Sequence, residues 1–198
     1  MNKRYIALGT VILVIAVFFV FFSQQEYSFD SGLTEINSAW EKQDLKPKDL
    51  TSPLKVFAVK ETKLTELKAD LISFKEKLSG KEDSADKEKL ELLVETEIEL
   101  VSNALLQKEN FALIDFFDSS DYDYELLCSS MNKAELLQEN LVLQKSSAES
   151  FNNKVIAFSD AYSDEAVKAR INALELEVNS DEKLSEMQSV LSVLKEVC

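Results

Sequence analysis

Histidine is absent from the 198 residues, and glycine (3), proline (2), cysteine (2) and tryptophan (1) are scarce. Without imidazole there is no His-based general acid or base, no Glu-x-x-His di-iron site and no ordinary zinc site. Two cysteines cannot build a thiolate cage, and the sequence contains neither a glycine-rich phosphate loop nor a Gly-x-Ser-x-Gly elbow. Serine, lysine and carboxylates are plentiful, but no spacing among them marks a catalytic pair. The expectation is a protein that is not an enzyme, with no catalytic residue, cofactor or metal.

The same scarcity bears on the fold. Little glycine and proline, with abundant Leu, Glu, Lys, Ser and Ala, leaves few turn signals for strands and hairpins, so the expected class is all-α. Lys3 and Arg4 sit at the start of the chain, leaving 20 of the 22 basic residues beyond them against all 36 acidic ones. That excess argues against nucleic acid as a partner and against electrostatic docking on anionic lipid.

One long apolar run is present. Residues 5–22, YIALGTVILVIAVFFVFF, hold no charge, and eighteen helical residues span about 27 Å, near the bilayer core thickness of ~30 Å. Basic residues before it and Glu26 and Asp30 after it predict a single-pass membrane protein with a cytoplasmic N-terminus and an extracytoplasmic remainder. A cleaved signal peptide fits less well, because Phe21 falls at a small-residue position of the cut. A pilin-type leader ending at Gly9 fits less well again, since the apolar run begins before it. The expected domains are a cytoplasmic stub and transmembrane anchor (1–23), a connector with a short helix (24–52) and an exported helical bundle (53–198).

Heptad spacing then divides the remainder into helices. A short one over 32–45 places Leu33, Ile36 and Trp40 on one face, and Lys46-Pro47 ends it. Ser52-Pro53 opens a second over 53–79, where Phe57, Leu64, Leu71 and Leu78 repeat every seven with Leu67 and Phe74 between. A charged turn at 81–84 leads to a third over 85–117, with Leu90, Val94, Ile98, Val101 and Leu105 inward and an acidic ridge of Glu88, Glu91, Glu95 and Glu99. That ridge reads as solvated or as a partner for lysines on a neighbouring helix. The fourth, over 121–162, has the clearest seam: Leu127, Ala134, Leu141, Ala148 and Val155, alternating with Ser130, Leu137, Gln144, Phe151 and Phe158. A final helical region over 164–197 contains a stop-and-restart signal at 179–182, although its apolar positions also connect without a break. Long helices joined by short turns predict an antiparallel up-down-up-down four-helix bundle.

Cys128 and Cys198 test the path of the last region. Equal arms about residue 162 set position 198 opposite position 126, within a helical turn of Cys128, so a disulfide is geometrically reasonable. By this argument the disulfide goes with a nearly continuous last helix.

The loop DFFDSSDYDYE, over 115–125, stands apart. Asp121, Asp123 and Glu125 alternate like the opening of a calcium loop, but Leu126 and Asn132 stand where glycine and the closing glutamate belong. Phe116, Phe117, Tyr122 and Tyr124 either plug the end of the bundle or form a protein-contact tip. These features point to a membrane-anchored helical bundle that acts on a protein partner as scaffold, adaptor or assembly component. The alternatives are a sensor that holds a small ligand between helices, or a filament subunit.

Overall fold

The computed structural model describes residues 27–119, 124–161, 174, 176 and 180–198. Among these the secondary structure is helical, with no strand: α1 (Phe29–Lys42), α2 (Pro53–Ala58), α3 (Glu61–Ser79), α4 (Ala85–Ser119), α5 (Tyr124–Ser129), α6 (Met131–Ala161) and α7 (Ser180–Val197). Pro47–Asp49 forms a 3-10 turn between α1 and α2.

α1 begins three residues before the Gly32 expected from sequence, because Ser28 caps it by accepting from the Ser31 N–H at 3.3 Å. Its Phe29 N–H also donates to Asp86 Oδ2 of α4 at 2.9 Å. It ends before Lys46-Pro47, with Asp44 in the left-handed region at φ 54°. There the Asp44 and Leu45 N–H groups donate to the Glu41 and Trp40 carbonyls at 2.9 and 3.1 Å. This is the paired closure in which glycine is usual and aspartate is tolerated.

The expected helix over 53–79 is two helices. Val59 is extended (φ −74°, ψ 137°), so α3 restarts with a new phase. Val56 takes the core position assigned to Phe57, which is exposed. Beyond the break, Leu64, Leu67, Leu71, Phe74 and Leu78 are all buried, as the heptads require.

α4 is the rod on which the rest is laid. Its apolar residues fall on more than one face, and Leu90, Leu93, Val94, Leu100, Val101 and Ala104 are all buried. Contacts with α1 keep a constant sequence offset: Phe29 meets Asp86 and Trp40 meets Glu97, so α1 runs parallel to α4. On α3, Lys75 pairs with Glu95 at 2.8 Å, while Phe57 of α2 meets Phe111, so this side runs antiparallel. α6 is antiparallel too, since Asn103 reaches Gln144 and Glu99 reaches Ser150. α7 returns along α6 with Lys195 beside Glu135 at 3.2 Å. The acidic ridge finds lysines on both neighbours, Lys75 of α3 and Lys154 of α6.

Two further sequence expectations need correction. Leu174 and Leu176 are not helical and α7 starts only at Ser180, so the last region is not a nearly continuous helix. The return path is nevertheless kept, because Asn152 clamps Leu176, donating to its carbonyl at 3.0 Å and accepting from its N–H at 3.1 Å. The other correction concerns the membrane. Among the described residues no helix is long and apolar enough to cross a bilayer, so the single-pass placement with an extracytoplasmic bundle is not supported. The described long helices carry charges along their length, and their apolar stripes are committed to one another, not to lipid. The run 5–22 and a cut at Gly9 lie outside the described residues.

Candidate functional site

At the end of the fold where α4 finishes, Phe116 and Phe117 are half-buried, with ring centroids 5.3 Å apart and planes at 79°. Phe117 packs on Ala134, Leu191 and Leu194, while the Lys133 ammonium sits 3.4 Å over the Phe116 ring. Phe117 thus plugs a small core and does not project. Tyr122 lies outside the described residues, as do Asp121 and Asp123; Tyr124 opens α5. Beside this end, Cys128 and Cys198 form a disulfide with Cα atoms 5.5 Å apart.

A polar seam crosses the α4–α6 interface and was only partly visible in sequence. Asn103 Nδ2 donates to the Gln144 carbonyl at 3.3 Å, Gln107 Nε2 to Asn103 Oδ1 at 3.0 Å, and Asn110 Nδ2 to Gln144 Oε1 at 2.7 Å. Gln107 Oε1, Asn110 Oδ1 and Asn140 Nδ2 are buried with no partner. Gln144 therefore accepts from two α4 residues, as a register-setting seam residue would. Glu99 Oε2, though off-line for a hydrogen bond, is ion-paired with Lys154 at 2.9 Å. Such amides can orient a polar solute or a facing helix, but none is an acid or a nucleophile.

A second polar contact lies deeper. The Trp40 indole N–H donates to Glu97 Oε2 at 2.6 Å, with both residues buried. The signal for it was weak: Glu97 lies outside the ridge formed by Glu88, Glu91, Glu95 and Glu99.

Near the start of α1, the Tyr27 hydroxyl donates to Glu35 Oε1, and Lys77 Nζ donates to both Glu35 oxygens at 2.9 and 2.7 Å. Burial, then the hydrogen bond and charge of Glu35, raise the Tyr27 hydroxyl well above its ordinary value. Burial also pulls Glu35 upward, but hydrogen bonds from Lys77 and Tyr27 and the charges of Lys77 and Lys81 outweigh it and hold the carboxyl below its ordinary value. A shallow groove of 260 Å³ between α1 and α3 opens beside this cluster. Its charged walls are self-paired, Lys42 with Asp70 and Lys77 with Glu35, so it presents no unmatched charge to a ligand.

Among the described residues the most exposed large apolar side chains belong to α2. Leu54 is 85% exposed and Phe57 66%. Phe57 stacks edge-on against Phe111 at 5.7 Å, and Lys108 lies 5.8 Å over its ring while donating to the Phe57 carbonyl at 2.8 Å. These contacts fix the direction of the ring without covering it.

Among the described residues no group of three or more His, Cys, Asp or Glu side chains could hold a metal ion. No family model matches the chain, and no curated protein or solved structure matches it either.

Proposed function

We propose that the chain is a non-enzymatic helical bundle, its long helices running up-down-up-down, that works through protein-protein contacts as a scaffold, adaptor or assembly component. The observation that carries this reading is α2. Leu54 and Phe57, three residues apart, present large apolar side chains to solvent from a short helix backed by Phe111. A single exposed leucine means little, but an aromatic held in one orientation beside a second apolar side chain is the kind of anchor that contact surfaces use.

The experiment is photocrosslinking and affinity capture with wild-type protein and with a Leu54→Ser/Phe57→Ser variant, compared at equal folded concentration. The reading expects a partner held by wild type and lost by the variant. An unchanged set of captured proteins would remove α2 as the contact element. A second reading, a small polar ligand held between helices, draws on the unpaired amide atoms of Gln107, Asn110 and Asn140. It predicts that Asn140→Leu abolishes ligand-induced thermal stabilisation in a solute screen, and a screen with no stabilising solute counts against it.

A further inference from the structure

α7 packs mainly along one helix, α6. Its described buried side chains are Leu191 and Leu194, which meet Ala134 and Phe117 in a cluster separate from the main core. Val190 and Val193 face solvent at 45% and 59% exposure, and the Lys195–Glu135 ion pair joins two exposed side chains, an arrangement of small value in water. Among the described residues the main core takes none from α7: it joins α1, α3 and α4 to Phe151 and Phe158 of α6 and to Leu174 and Leu176 ahead of α7. A covalent link adds to this packing, since Cys198 follows the last residue of α7 and is bonded to Cys128 at the end of α5. Cys198 is exposed and Cys128 is half-buried, so the bond is approached from the Cys198 side, and exposed disulfides are the more reducible kind.

We propose that the Cys128–Cys198 disulfide is a redox latch on α7, whose opening by a dithiol reductant frees α7 from α6 while the core around α4 stays folded. In the first step a reductant thiolate attacks Cys198 Sγ, a mixed disulfide forms, and the Cys128 thiolate leaves and takes a proton. The second reductant thiol, as thiolate, attacks its own sulfur in that mixed disulfide, closes the reductant's disulfide and expels the Cys198 thiolate, which is protonated in turn. Two electrons pass from the dithiol to the cystine, leaving two protein thiols and one oxidised reductant. Once the link is gone, α7 is held by its packing along α6, whose described buried part is a cluster separate from the main core, and elements outside the main core open independently of it. Release uncovers Ala134 and Phe117, now covered by Leu191 and Leu194.

The test is amide hydrogen exchange on the full chain, oxidised and after dithiothreitol, together with a Cys128→Ser/Cys198→Ser variant measured without reductant. Exchange across residues 180–197 is expected to accelerate by between roughly tenfold and a few hundredfold, the upper figure following from closure of the roughly 20-residue loop between the clamped Leu176 and Cys198. Protection in α3 and α4 is expected to stay unchanged, and reoxidation to restore α7. Unchanged exchange in α7, once mass spectrometry shows both thiols reduced, overturns the latch. An equal acceleration through α3 and α4 overturns it as well, because the bond would then be a staple of the whole fold.

Discussion

Replacing Gly32 with alanine sets two effects of opposite sign against each other in the interior of α1. Glycine in a helix interior costs about 1 kcal/mol relative to alanine, so propensity alone predicts a gain. Gly32 has no positive φ that would forbid the change. Packing argues the other way. A Cβ at this position would lie 2.3 and 2.6 Å from the two Leu90 methyls and 3.0 Å from Leu90 Cγ. Leu90 has no exposed surface and cannot swing into solvent, so the clash must be absorbed by the α1–α4 spacing, at about 1 to 3 kcal/mol. The steric cost wins, and Gly32→Ala is expected to destabilise by about 1 kcal/mol, lowering Tm by about 2 to 4 °C for a chain of this size. Urea unfolding followed by Trp40 fluorescence and by far-ultraviolet dichroism measures it. Leu90→Ala alone should cost about 2 to 5 kcal/mol, and the double variant should be more stable than the sum of the two, because the new methyl grows into the space that Leu90 vacates. A Gly32→Ala protein as stable as wild type, or a strictly additive double variant, would refute this account of α1 seating.

The other predictions concern single contacts. Glu97→Leu strands the Trp40 indole N–H and should cost about 1 to 3 kcal/mol with a shift in tryptophan emission, whereas Glu97→Gln keeps an acceptor and should cost less; equal stability of the Leu variant and wild type would show the bond to be idle. Phe57→Ser should cost about 1 kcal/mol or less, the scale of an edge-on aromatic contact at the surface, against about 2 to 5 kcal/mol for Leu64→Ala in the seam. A loss of core size at Phe57 would mean that it is buried after all. Glu35 and Asp49 both lie below their ordinary values, Glu35 for the reasons above and Asp49 chiefly through its Lys55 hydrogen bond. Because their folded pKa values are depressed, the stability they contribute is present above the ordinary values of 4.5 and 3.8 and is lost as pH falls through the lower folded ones. Thermal melts from neutral pH down to acid should show this loss, and Glu35→Gln should flatten it; an identical slope in that variant would contradict the assignment.

What could be read from the sequence was whatever repeats locally. The seam from Leu64 to Leu78 and the seam of Ala134, Leu137, Leu141, Ala148, Phe151 and Phe158 are buried as their spacing required, since a heptad states its own inward face. Phe57 failed because the break at Val59 carries no glycine or proline to announce it. The parallel course of α1 along α4 rests on Trp40 and Glu97, 57 residues apart, and no local pattern encodes such a meeting. Arm lengths made a Cys128–Cys198 bond reasonable but tied it to a continuous last helix; the bond forms although that helix is interrupted, because Asn152 and Leu176 hold the return path in register. Which apolar residues stand exposed was beyond reach, because an outward leucine such as Leu54 differs from an inward one only through the fold around it.

The disulfide also makes a mechanical statement. It closes a ring between positions 70 apart, so tension entering on one side of the bond and leaving on the other travels through sulfur and bypasses the helices in between. Unravelled, that stretch would supply roughly 240 Å of chain. While the bond is intact this length is hidden slack, and a pulled molecule can lengthen only by what lies outside the ring. Reduction would return that length to the chain, turning a short, stiff tether into a long, compliant one.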